Sequence, residues 1–407
     1  MAALVACARA AAAQATESTA MRPVVRAMCG KRVALLGESP VHGFGETLTF
    51  KVALVRQLVD ECHFNAIFIE SGFYDYLNLE EQLRSGHAVT DAMIAAAIGG
   101  LWANREVRPL IPFLREKASS GGLYLGGLDD GLDRGSWAQT GMPAALVESL
   151  QGGEKARCLT ILEKHMLWQY TDASPYGPED RTRILGCLNR IDARLATTQT
   201  ITQTRAQTTV RTTGQTGEAA WRNDEAAMIA SLRRSFARDF PEDVPAGTDA
   251  TTWGTNARDR SMYLNFRWLL AQLPPHSKVI VWAATPHVAK ELSTVPGDEK
   301  GTPLGFYIRR DFGDRAFVLG FSAYSGSYAF VRQPVRELSP APANSLEGRS
   351  FAGRDAAAVY LSRNALRKMG PIAARPLGTT FVTARWDAVL DGLVIFRRER
   401  APAYLQR

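Results

Sequence analysis

The sequence predicts an α/β fold: a mainly parallel sheet flanked by helices, with a helical insertion or cap and a short β-rich C-terminal tail. Three observations carry the prediction. Apolar runs of strand length alternate with helical patterns along much of the chain. The stretch 33–71 sets two such runs, VALLG and NAIFIE, around one apolar helical stripe. From about Met142 to Ala237 the period is instead helical throughout, and no strand is expected until Lys278.

Residues 1–24 open on MAALVACARAAAAQATES, an Ala-rich run that Arg9 interrupts and no basic segment precedes. A frayed or helical extension is the plainer reading; the remnant of a secretory leader is the alternative. Residues 25–141 and 238–335 form the α/β core, with strands at Val33–Gly37, Asn65–Glu70, Leu123–Asp129, Lys278–Ala284 and Ala316–Phe321. Between the first two strands, Leu48, Val52, Val55, Val59 and Cys62 recur at helical spacing, which makes a right-handed βαβ unit. Residues 142–237 are the helical insertion. Its Thr/Gln-rich tract, 197–217, is a polar helix continuation or a mobile loop, because Thr is a mediocre helix former. Trp168, Tyr170 and Trp221 of the insertion either line a cleft or pack internally. Residues 336–407 comprise an exposed Pro/Ser/Arg-rich connector and two β-like runs about Asp391-Gly392, expected to form a hairpin.

Composition narrows the function. Hydrophobic residues make up 46% of the 407, enough for a substantial core. The formal charge of +7 is spread without a Lys/Arg block or an aromatic-interleaved basic stripe, so nucleic acid is not an expected partner. No run reaches the roughly eighteen apolar residues of a membrane span, so no membrane partner is expected either. The five cysteines, Cys7, Cys29, Cys62, Cys158 and Cys187, are widely spaced. They read as structural thiols in a reducing cytoplasm, or in the periplasm if the N-terminus is a truncated leader.

Charge collects where the strands end. Glu38 and His42 follow the first strand, Glu70 ends the second, Asp129 and Asp130 end the third, and His287 follows the fourth. Ligands of open α/β sheets bind beyond the carboxyl ends of the strands, so these groups define one rim. Lys51 interrupts the apolar face of Leu48, Val55 and Leu58; it either reaches the rim or snorkels to solvent. Histidine suits proton abstraction near neutral pH, and a neighbouring carboxylate can fix its tautomer. The chain has no G-x-S-x-G elbow, which favours directly activated water over an acyl-enzyme.

These residues resemble the erythromycin esterase family. Its first signature is matched by Gly37, Glu38, His42, Gly43 and Glu46, followed by Lys51 and Glu70. LWANREVRPLIPFLRE is similar to its Trp-x-x-x-Glu-Val helix, LGGLDD to its Gly-x-Asp strand end, RDRSMYLNFRWLL to its Arg-Asp-x-x-Met helix, and KVIVWAATPHV to its Trp-Ala-His-Asn-x-His strand. Two departures stand out. Ser39, Pro40 and Val41 put one residue more than usual between the Glu and the His, which requires a bulge. The first His of the paired-His strand is Ala284.

The resemblance and the rim together imply a metal-independent, cofactor-free hydrolase of a small-molecule ester or lactone, macrolide-like lactones being one candidate. His42 would activate water, Glu70 would orient or charge-stabilise it or hold the water, and Glu38 would support its tautomer. Lys51 and His287 would stabilise the oxyanion or the substrate, and Glu46 and Asp129 would meet the substrate. Two alternatives come from other classes: metal-assisted hydrolysis by the rim His/Glu cluster, and a binding module left without catalysis by Ala284.

Overall fold

The computed structural model describes residues 19–168, 179–206, 217–238 and 249–405. Its main sheet takes β1 (Val33–Leu36), β2 (Ala66–Gly72), β3 (Tyr124–Asp129), β4 (Val279–Trp282), β5 (Ala316–Tyr328), β7 (Ala358–Ser362) and β10 (Gly392–Glu399) in the order β3-β2-β4-β1-β5-β10-β7, with β6 (Arg336–Leu338) paired to the end of β5. β8 (Ile372–Ala374) and β9 (Val382–Ala384) form a separate pair. The runs VALL, VIVW and AIFI are buried along their whole length, as strands covered by helices on both faces must be.

Every neighbour pair from β3 to β10 is parallel, so these strands open their carboxyl ends on one rim. The order decides which exits meet. Helix Gly45–Asp60 carries the chain from β1 past a vacant slot to β2, and β4 later fills that slot between them. The loops after β1 and β4 thereby become neighbours, joined by a 2.6 Å hydrogen bond from Thr285 N to the Glu38 carbonyl.

The insertion is helical as expected, with helices Met142–Leu146, Gly152–Trp168, Asp180–Ala206 and Gly217–Ala237. The helix Asp180–Ala206 runs through the first half of the Thr/Gln tract; residues 207–216, Tyr170 and the side chains of Trp168 and Trp221 lie outside the described residues.

Residues 19–29 form a helix, one of the two forms expected of the N-terminal stretch, and its Ala20, Met21, Val24, Val25 and Met28 are buried in the core; residues 1–18 lie outside the described residues. Three expectations need correction. The connector is not wholly exposed, since it supplies β6 and the helix Leu346–Phe351 and buries Leu338, Leu346 and Phe351. Asp391-Gly392 is not a hairpin turn. It starts β10, which enters the main sheet between β5 and β7, because the apolar run LVIF gains more from burial there than from pairing with its own neighbour. Finally, the cysteines pair. Cys29–Cys62 joins the ends of the first two helices, with Cα atoms 4.9 Å apart, and Cys158–Cys187 joins two helices of the insertion, at 5.4 Å. Disulfides persist in oxidising surroundings, so the cysteines no longer argue for a reducing cytoplasm; Cys7 lies outside the described residues. No described helix is long and apolar enough to cross a membrane.

Candidate active site

The rim holds two histidines in unlike settings. The loop after β1 makes a tight turn, with His42 N donating to Ser39 O at 2.9 Å and His42 itself in the left-handed region at φ +50°. Gly43 is required next, because a Cβ would stand 1.7 Å from the Ala329 carbonyl oxygen. The turn brings His42 Nδ1 to 2.8 Å from Glu38 Oε1, which also accepts the Trp102 indole N–H at 2.7 Å. The Trp102 ring stands edge-on to the imidazole, with centroids 5.0 Å apart.

Behind Glu38 lies Lys51, wholly buried. Its ammonium is 3.1 Å from Glu38 Oε2 and 4.1 Å from the centroid of the Trp282 ring. The 3.1 Å contact is one of charge, without hydrogen-bond angles. Burial alone would raise the Glu38 carboxyl; Lys51 above all, then His42 and Trp102, outweigh it and hold the group below the usual carboxylate range. Burial lowers Lys51 to about 8, against the pull of Glu38. An ionised Glu38 can only accept, so His42 Nδ1 must donate to it; in the neutral tautomer that this selects, the acceptor nitrogen is Nε2.

The second histidine sits among more charge. Asp259 takes His287 Nδ1 at 3.0 Å on both oxygens, and Glu70 Oε1 lies 3.2 Å from Nε2. Arg258 threads the same cluster, donating to Glu70 at 3.0 Å and to Asp129 at 2.5 and 3.2 Å. Its Nη1 is also 2.9 Å from His287 Nε2. A ring nitrogen that donates to Glu70 cannot accept from an arginine, so these two contacts belong to different protonation states. Burial disfavours the charged ring, yet Glu70 and Asp259 raise it to about 10, which makes the imidazolium the state at neutral pH. Glu70 also accepts Ala284 N at 2.7 Å. Burial would raise its carboxyl, but His287 foremost, then Arg258 and His42, hold it well below the usual range.

The predicted rim residues therefore gather, but not all in the expected contacts. Glu38, not Glu70, orients His42; Glu70 is spoken for by Arg258, His287 and the backbone, and reaches His42 only as a nearby charge. Lys51 reaches the strand exits, where it meets Glu38 from beneath, but it has no exposed surface with which to touch a substrate, and it does not snorkel to solvent. Glu46 instead pairs with Arg400, with Oε1 accepting Nε–H at 2.6 Å. Asp129 is bound to Arg258, and Asp130 to Arg238 and Ser261.

Three participants had not been singled out: Trp102, Arg258 and Asp259. Trp102 stands in LWANREV, on the short turn Gly100–Trp102, and Arg258 and Asp259 stand in RDRSM, on the helix Ala250–Gln272; neither segment shows by its own pattern that it folds toward the rim. A fourth is the C-terminal segment. Glu399 caps helix Gly45–Asp60 from afar, accepting Glu46 N at 2.9 Å and Thr47 N at 3.0 Å, in place of the side-chain cap that Phe44 cannot supply. Tyr404 hydroxyl donates to Ala329 O at 3.2 Å and lies 3.5 Å from His42 O.

The comparisons agree with this architecture. The erythromycin esterase family model matches residues 59–398, most of the chain, and the chain belongs to that family. The matched span contains Glu70, Trp102, Arg258 and His287 and begins after Glu38 and His42. A Bacillus subtilis (strain 168) protein, YbfO, whose name assigns it provisionally to the hydrolases, is 24% identical over 343 residues, 80% of this chain and 73% of its own. Solved structures share the fold. A succinoglycan biosynthesis protein superposes at TM-score 0.66 with 14% identity, covering 95% of this chain and 92% of that one. A Bacillus cereus protein gives 0.65 and 16%, covering 95% and 93%. An erythromycin esterase mutant in its open conformation gives 0.60 and 15%, covering 93% of each.

Proposed function

We propose that this protein is a hydrolase of the erythromycin esterase type, cleaving an ester or lactone with water activated by His42. One observation carries the reading: an ionised carboxylate holds His42 Nδ1 as a donor, which leaves Nε2 free on the rim to take a proton. Water would give that proton to Nε2 as its oxygen adds to the carbonyl carbon. The proton would then pass from Nε2 to the departing alkoxide, leaving acid and alcohol. Arg258, a third exposed and held by Glu70 and Asp129, is a cation on the rim able to face the developing oxyanion, a role Lys51 cannot fill. His287 would act through Glu70, pairing with the carboxylate that, together with Asp129, holds the arginine in place.

His42→Ala should lower kcat/KM about a thousandfold on whichever member of an ester and macrolactone panel is turned over, with circular dichroism unchanged. A variant as active as the parent would refute the assignment.

A further inference from the structure

We infer that the substrate carries a neutral, hydroxyl-rich ring of about monosaccharide size, seated in a cavity beside His287; this rests on the hydrolase reading of the rim. The cavity holds about 270 Å³ and is lined in part by His287 and Asp259, so it adjoins the charged cluster directly. Drug-sized ligands occupy roughly 300–1,000 Å³, so this space takes one ring, not a large scaffold.

Its chemistry is mixed in a particular way. Thr251, Thr252, Thr255 and Asn256 line it from the first turns of helix Ala250–Gln272. Thr252 and Asn256 are already bonded to Asp249 and to the loop 300–302, and Thr251 and Thr255 are the cavity's other hydroxyl-bearing residues on this helix. A threonine hydroxyl both donates and accepts, as a sugar hydroxyl does. Pro286, Leu292 and Pro303 add apolar faces of the kind that a ring's C–H face packs against. Charge does not favour an ion. The carboxylates of Asp249, Asp259 and Asp298 stand against Lys300 and the His287 imidazolium, and two of the three are already committed. Asp249 accepts Thr252 N at 2.7 Å, and Asp259 accepts His287 and Leu304 N.

The cavity is also held open from within. Asn256 donates to Lys300 O at 3.0 Å and accepts Thr302 N at 2.6 Å, which pins the helix wall to the loop wall. A preformed polar pocket of this kind binds without the cost of ordering its sides.

The test compares one acetyl group carried by a methyl hexopyranoside and by 2-methoxyethanol, alongside calorimetry of the free methyl hexopyranosides. The sugar ester should be preferred about tenfold in kcat/KM, and at least one glycoside should bind in the millimolar range. The double variant Thr251→Val/Thr255→Val, near-isosteric and checked for folding, should abolish that preference and weaken glycoside binding. Equal kcat/KM for the two esters, or glycoside binding that is absent or indifferent to the two threonines, would overturn the inference. Turnover of both esters without preference, lost in His42→Ala, would sink the cavity and keep the hydrolase. Threonine-dependent glycoside binding with no turnover of either ester would keep the cavity and count against the hydrolase.

Discussion

His42 and His287 stand on one rim, yet their surroundings are opposite in charge. His42 has one carboxylate partner, itself neutralised from behind by Lys51, and keeps a free nitrogen. His287 is gripped by carboxylates at both nitrogens and is held as a cation. In the proposed reaction the first is the base and the second an electrostatic strut. The difference teaches that residue type places a histidine in a site, while the count and charge of its partners assign its role.

Breaking the first half should have the largest effect. Glu38→Gln keeps the shape but removes the charge that fixes the His42 tautomer, so kcat should fall about a hundredfold or more. It also leaves the Lys51 ammonium buried without its partner, at a cost of about 3–5 kcal/mol in stability. Adding Lys51→Met should restore most of that stability, read by urea denaturation, and none of the activity. Recovery of activity in the double variant would mean the pair is only structural.

The two cations should next separate by the sign of their pH dependence. His287 is raised from 6.5 to about 10, so its contribution is complete below 6.5 and disappears as pH rises through 10. The stability gap between the parent and His287→Gln should therefore shrink across that window, by on the order of 1 kcal/mol per pH unit at most. Lys51 is lowered from 10.5 to about 8, so the folded state sheds its proton first and the parent should gain on Lys51→Met between pH 8 and 10.5. Parallel slopes for the two variants would dissolve the contrast between base and strut.

Smaller effects mark the surroundings. Tyr404→Phe removes a hydroxyl that ties the tail to the Ala329 carbonyl beside Gly43, and should lower kcat a few-fold, with little change in KM. A fall in thermal stability with kcat unchanged would make that tie purely structural. Glu80, far from the histidines, is a control: burial raises it to about 7, opposed by the Leu125 N–H. Its stabilising contribution is lost as pH rises from 4.5 through 7, so Glu80→Gln should match the parent near pH 5. It should exceed the parent at pH 9 by on the order of 1 kcal/mol, with activity unaffected.

Much of this was legible in advance. The strands from Val33, Asn65, Leu123, Lys278 and Ala316 are short apolar runs whose type follows from local pattern, and the rule of carboxyl ends then collected Glu38, His42, Glu70, Asp129 and His287 on one side. Partnerships were not legible. Lys51 sits on an apolar helical face that reads the same whether it meets solvent, substrate or Glu38. Arg258 and Asp259 lie in the middle of a helix whose register against the rim depends on contacts far away in sequence. The cysteines, separated by about thirty residues in each pair, gave no local sign of meeting.

By itself the sequence determined the first five strands with their helices, the parallel character of that sheet and the inventory of ionisable groups at its edge, because periodicity and burial act over a few residues at a time. Tertiary structure alone decided that β4 slots between β1 and β2, and that Glu38 serves His42 while Glu70 serves Arg258 and His287. It also placed the C-terminal segment against the His42 loop. Which charge neutralises which is a matter of distances across strands, and those distances exist only once the chain has closed on itself.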